Sequence, residues 1–197
     1  GISKDVILTV ESGVIGGYPS SGISFGAAVN VDMVHDQAYQ FDFYDGGGLD
    51  ITFVGALEVD KKGYVNVSRV GDTIIGVGGF INLAQASKKV VYCFPFSAGG
   101  LKVEYHNSKL HIIQEGKYKK FTEKVDEISS SGDYSLEIEQ EVIYITERCV
   151  FILTNEGLKL IEVAPGISIN DDIVNKMPFK PIIADNIKVM ERVLFGV

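Results

Sequence analysis

Val6-Ile-Leu-Thr-Val-Glu-Ser-Gly13 decides how the rest of the chain is read. Five apolar or β-branched residues in a row, cut off at a glutamate, predict a buried strand over residues 6–10. Residues 13–26 then read as loop, with five glycines, Pro19 and three serines. Glu11 is the single charge between positions 6 and 26. In an α/β sheet, ligands gather beyond the carboxyl ends of the strands. Glu11 sits at such an end, and Gly13, without a side chain, leaves room for close approach. The same position also suits an exposed glutamate that merely ends a strand.

Outward from this point, Ile51-Thr-Phe-Val54 and residues 89–96 read as further buried strands. A helix is expected over 36–44, stopped by Gly46-Gly47-Gly48, and Gly76-Val-Gly-Gly-Phe80 reads as a turn feeding a helix to Ser87. Residues 55–59 continue past a glycine kink, Lys61-Lys62-Gly63 makes a turn, and residues 64–68 are extended. In the second half, residues 101–114 read as a hairpin turning at Asn107-Ser108, and 121–128 as a short helix. Three strands follow over 141–146, 149–154 and 158–163, the last two joined by Asn155-Glu-Gly157. Ser168 or Asn170 caps a helix over 171–177 that Pro178 stops, and a last amphipathic helix is expected over 186–194. Strands alternating with helices, then hairpins, define an α/β class with an antiparallel β appendage. Without a repeat or linker, residues 1–197 read as a single domain.

The chain has 197 residues, 46% of them hydrophobic, enough for a core without metal or disulfide staples. Its net charge is −8 and its sequence pI near 4.9, which argues against nucleic acid or an anionic membrane as partner. Cys93 and Cys149 lie in apolar runs and are expected buried and reduced, as in a cytoplasmic protein. His35, His106 and His111 lack metal-ligand spacing, and no metal is expected. The uncharged stretch 73–87 is too short and too polar to span a bilayer. The chain opens on Gly1 and a strand follows almost at once, as expected of a piece cut from something longer.

Thr9-Val-Glu-Ser-Gly-Val-Ile-Gly-Gly-Tyr-Pro19 resembles the catalytic segment of the family I coenzyme A transferases. Similar to that family, in order and spacing, are Tyr39-Gln-Phe-Asp-Phe-Tyr-Asp-Gly-Gly-Gly-Leu-Asp-Ile-Thr-Phe-Val-Gly55 and Ala56-Leu-Glu-Val-Asp60. So are Gly63-Tyr-Val-Asn-Val-Ser68, Gly76-Val-Gly-Gly-Phe80 and Val163-Ala-Pro-Gly166. The nearest branch is the fused short-chain acyl-CoA:carboxylate type acting on acetate, propionate or acetoacetate. Ser12 stands where the two-subunit branch has Asn. The resemblance implies the C-terminal, glutamate-bearing half of such an enzyme, with the N-terminal half absent. The implied fold is an open, mostly parallel sheet flanked by helices, NagB/RpiA/CoA-transferase-like.

The implied activity moves coenzyme A from a short-chain acyl-CoA to a free carboxylate such as acetate, with ping-pong kinetics. Glu11 would be the nucleophile and carry a covalent glutamyl-CoA thioester. A glutamate carboxylate is ionised at neutral pH and needs no general base. Gly78, Gly79 and Phe80 would supply backbone donors to the oxyanion and to CoA, and Ser12, Gly13, Gly16 and Gly17 would form the substrate loop. Neither metal nor tightly bound cofactor is implied: CoA is substrate and covalent intermediate. The partners implied are acyl-CoA, short carboxylates, the N-terminal half and further copies in a homo-oligomer. Two other classes stay open: a ligand-binding or sugar-phosphate-isomerase-like domain on the same superfold, and a non-catalytic interaction module. A sugar-phosphate site wants basic residues near the glycine loops, yet no Lys or Arg lies between Lys4 and Lys61.

Overall fold

Six runs rich in Val, Ile, Tyr and Phe pair into one sheet in the computed structural model, which describes residues 5–195. From edge to edge the strands are Ile182–Val189, Gly157–Val163, Cys149–Thr154, Glu141–Ile145, Lys89–Cys93 and Ile51–Val54. Cys149–Thr154 alone runs against the other five. The sheet is therefore the expected mostly parallel α/β sheet. The meander 141–163 extends it by hairpins, while the hairpin of Lys102–His106 and Lys109–Gln114 pairs only with itself.

Side chains alternate across a strand, so Val90, Tyr92, Val142 and Tyr144 share one face and are fully buried there. The Tyr92 and Tyr144 rings stack with centroids 5.2 Å apart. Their hydroxyls reach into a second layer: Tyr92 donates to Ser130 Oγ at 2.9 Å and Tyr144 to Gly63 O at 2.7 Å. Burial pushes the Tyr92 phenol up to about 12, so it stays a neutral donor. That layer is a small sheet of Glu58–Asp60, Val65–Asn66 and Phe121–Thr122. Helix α1 (Gln37–Phe43) ends in a wide turn, Tyr44–Gly48, with Gly47 at φ +88. Helix α2 (Phe80–Ala86) lays Phe80 against Tyr92, centroids 6.1 Å apart. The strand Ile51–Val54 forms a free edge on which Phe53 is 64% exposed.

Five expectations change. The strand over 6–10 shrinks to Thr9–Val10, paired with Val14–Ile15 outside the large sheet, and Ile7 is 76% exposed. Within the loop 13–26, Tyr18–Pro19 pairs with Ala28–Val29, so the glycines space short antiparallel ladders. The helix over 121–128 is absent, because Phe121–Thr122 pairs in parallel with Val59–Asp60 and tertiary pairing overrides local preference. A helix instead forms just beyond it, α3 (Gly132–Glu137), where Ser131 Oγ accepts from the Tyr134 N–H at 3.2 Å. The last helix gives way over its first part to a strand, Ile182–Val189, held in parallel by Gly157–Val163, and the chain turns helically at Arg192–Phe195, as a short 3-10 segment. Cys149 is buried but Cys93 is exposed. The expected cap at Ser168 is present, accepting from the Asp171 N–H at 3.2 Å.

At the turn that joins Glu141–Ile145 to Cys149–Thr154, Arg148 is fully buried. Its guanidinium grips both oxygens of Glu115 at 2.9 and 3.0 Å and Glu147 at 2.7 Å, and lies 4.4 Å from the Phe96 ring centroid. The hydrogen bond from Arg148 holds the Glu115 carboxyl below its ordinary value. Arg148→Met leaves two carboxylates without their cation and is expected to cost about 3–5 kcal/mol, read as a lower urea midpoint. The Glu115 share of stability is fully present above its ordinary pKa of 4.5 and lost as pH falls through its lower folded value. Acid titration of stability should show that loss in the wild type and not in Arg148→Met.

Candidate active site

Glu11 directly follows the strand Thr9–Val10 and rides on a tight turn. The Gly13 N–H closes that turn on Val10 O at 3.0 Å, with Gly13 at φ +109, a conformation only glycine takes without strain. A Cβ on Gly13 would collide with His35 O, and the His35 N–H donates to Gly13 O at 3.0 Å. Glu11 is half-buried. None of the ion pairs found among the described residues involves it.

The Glu11 carboxylate meets the glycine turn ahead of α2. A Cβ built on Gly79 would stand 2.5 Å from Glu11 Oε2 and would also overlap the Phe41 ring of α1. Residues 11, 41 and 79, distant in sequence, therefore converge at one point. Gly78 has φ +55 and nothing within 4 Å of its missing side chain, so this side of the turn is open. The Phe80 N–H is already committed to Val77 O at 3.1 Å, and its ring is buried. Gly79 caps α2, its carbonyl accepting from the Leu83 N–H at 3.1 Å.

The other loop residues stand further back. Ser12 is exposed and donates to Gly26 O at 2.5 Å, which straps the turn to the next loop. A Cβ on Gly16 would collide with the Asp32 side chain, and one on Gly17 with Val29 O and Asn30 O. Both glycines thus serve the close approach of the chain to itself. Asp45 accepts from Asn82 Nδ2 at 3.0 and 2.9 Å and ties the wide turn to α2. Tyr44 is buried and its hydroxyl donates to Thr9 Oγ1 at 2.8 Å, as a core hydrogen-bonding residue. Thr9, Gln40 and Phe41 lie within the stretches that carry the family resemblance, but nothing in the sequence assigned a role at the site to any of them or to His35; Tyr44, which meets Thr9 there, is 35 positions away in sequence. Among the described residues no cluster of His, Cys, Asp or Glu could hold a metal, and no helix is long and apolar enough to cross a membrane.

No family model matches the chain. It is 48% identical over 195 residues to the acetate CoA-transferase YdiF of Escherichia coli K12, covering 99% of this chain and 37% of that protein. It is 40% identical over 201 residues to the caffeate CoA-transferase of Acetobacterium woodii, covering 100% of this chain and 38% of that one. Among solved structures, the acyl-CoA transferase YdiF of Escherichia coli O157:H7, as a thioester complex with CoA, superposes with a TM-score of 0.92. That match is 46% identical and covers 99% of this chain and 37% of the other. With the α/β sheet and the glutamate turn described above, these likenesses place the chain in the family I coenzyme A transferases. The chain spans little more than a third of the length of the curated relatives it matches.

Because Gly79 is where Glu11 and Phe41 meet, Gly79→Ala is expected to destabilise the protein by about 1–3 kcal/mol through overpacking. Gly55→Ala, where a Cβ meets nothing within 4 Å, is the control and should leave the urea midpoint unchanged.

Proposed function

We propose that this chain is the C-terminal half, a single domain over residues 1–197, of a cytoplasmic, homo-oligomeric enzyme that moves CoA from a short-chain acyl-CoA to a free carboxylate such as acetate. Glu11 is its nucleophile. The observation that carries the reading is the approach of Glu11 Oε2 to Gly79, at a turn open on the Gly78 side. A carboxylate without an ion-pair partner among the described residues, set against backbone that lacks a side chain, is placed to attack a carbonyl and to share that carbonyl's donors.

A Glu11 oxygen attacks the thioester carbonyl carbon, the C–S bond breaks, and CoA leaves as thiolate, giving an acyl-glutamyl anhydride. The thiolate then attacks the Glu11 carbonyl carbon, the anhydride C–O bond breaks, and the first carboxylate departs. Glu11 is left as a glutamyl-CoA thioester. The acceptor carboxylate reverses both steps, so no proton, metal or redox partner enters the balance. That a close relative was solved as a thioester complex with CoA supports the covalent intermediate. Gly78 and Gly79 are the backbone donors for the oxyanion, with Phe80 as the buried side chain that fixes the turn, since its own N–H is engaged with Val77 O.

Glu11→Gln keeps shape and removes nucleophilicity. In the complete enzyme it is expected to lower turnover more than 100-fold, about 2.7 kcal/mol of barrier, with the urea midpoint unchanged. The wild type incubated with acyl-CoA should give an adduct at Glu11 trapped by hydroxylamine or borohydride. An isomerase-like or purely interacting domain gives none. Gly79→Val is expected to lower kcat more than it raises KM, since its side chain would take the place of Glu11 Oε2 and displace both nucleophile and donor, and misplacing one such donor costs about 100-fold or more.

This chain alone should turn over acyl-CoA and acetate slowly or not at all, and regain activity with the separately expressed N-terminal half. Reactants misplaced by about 1 Å lose on the order of 100-fold in rate, and no Lys or Arg lies between Lys4 and Lys61 to grip the phosphates of CoA. Full turnover by the lone chain would refute the half-site reading.

A further inference from the structure

Thr9 and Gly13 bracket the turn that carries Glu11, and both are tied to α1. The His35 N–H donates to Gly13 O at 3.0 Å. The His35 ring is bonded through Nε2 to Gln40 Oε1. Gln40 Nε2 donates to the Tyr44 hydroxyl at 2.6 Å, and that hydroxyl donates to Thr9 Oγ1 at 2.8 Å. The backbone from Thr9 to Gly13 closes the circuit, with Glu11 at its middle. Gln40 Oε1 can only accept, so His35 donates from Nε2 and every side-chain bond in the circuit has one direction.

Gln40 is 0% exposed and Tyr44 1%. A buried amide and phenol cost stability unless bonded, and a Leu and a Phe would fill the same space without that demand. Packing alone therefore does not account for this polar pair. What the pair adds is direction: both ends of the Glu11 turn are pinned to one helix. The same helix carries Phe41, whose ring stands with Glu11 Oε2 against Gly79.

We infer that Gln40 and Tyr44, acting through Thr9 and His35, are positioning residues that hold Glu11 at its attack position. This rests on Glu11 being the nucleophile. A loosened turn leaves substrate binding alone but lowers the fraction of time the carboxylate is aligned, so the loss falls on the chemical step.

The test is single-turnover formation of the Glu11–CoA thioester in the complete enzyme at saturating acyl-CoA, together with steady-state kcat and KM. Gln40→Leu and Thr9→Val are expected to slow thioester formation and kcat by about 10- to 100-fold, with KM for acyl-CoA within about threefold. Thr9→Ser keeps the hydroxyl and should stay within about threefold of wild type. Tyr44→Phe deletes one oxygen from an otherwise unchanged ring and should repeat the Gln40→Leu loss, which covers a Gln40→Leu protein that does not fold. Wild-type rates in these variants, or Thr9→Ser as slow as Thr9→Val, would overturn the positioning. A wild-type enzyme that forms no thioester at Glu11 would instead overturn the nucleophile reading itself.

Discussion

A single missing side chain organises this molecule. Because residue 79 has no Cβ, a carboxylate from the turn after the first strand and an aromatic ring from the first helix can touch the start of the second helix at one point. Each neighbouring feature follows from that closeness. The turn after Val10 must be tight, which calls for Gly13 at positive φ. Helix α2 begins there, and Phe80 turns inward against Tyr92. Asp45 and Asn82 then fasten the wide turn after α1 to α2.

The large sheet supplies rigidity behind this point. Two stacked tyrosines on adjacent parallel strands bridge it to the second layer, each through a hydroxyl bond. Their bonds satisfy oxygens that would otherwise be costly to bury. Position is thus set from two sides: by apolar stacking under Phe80, and by a polar circuit beside Glu11.

The sheet was legible where strands are long and apolar, as at 51–54, 89–93 and 141–163, because continuous β-branched runs allow few other readings. Gly76-Val-Gly-Gly-Phe80 was legible because glycine repeats before an apolar run mark a turn into a helix. Residues 121–128 and the first part of 186–194 were misread for one reason. Their amphipathic spacing fits a helix, but backbone partners at 59–60 and 157–163 were waiting for them, and pairing across the chain leaves no local trace. At the site, Glu11 stood out by its isolation in an uncharged stretch. Gln40 and His35 did not, since a lone amide or imidazole in sequence says nothing of the turn it will brace.

The bare edge strand Ile51–Val54 has a colloidal consequence. Among the described residues no strand pairs with its outer side, beside the exposed side chains of Ile51 and Phe53. Such an edge templates strand addition by another chain. At its start Asp50 is bound to Lys88 at 2.7 Å, both side chains exposed. An exposed pair of that kind is screened by salt. Whatever surface lies over that strand acts, chemically, as its solubiliser.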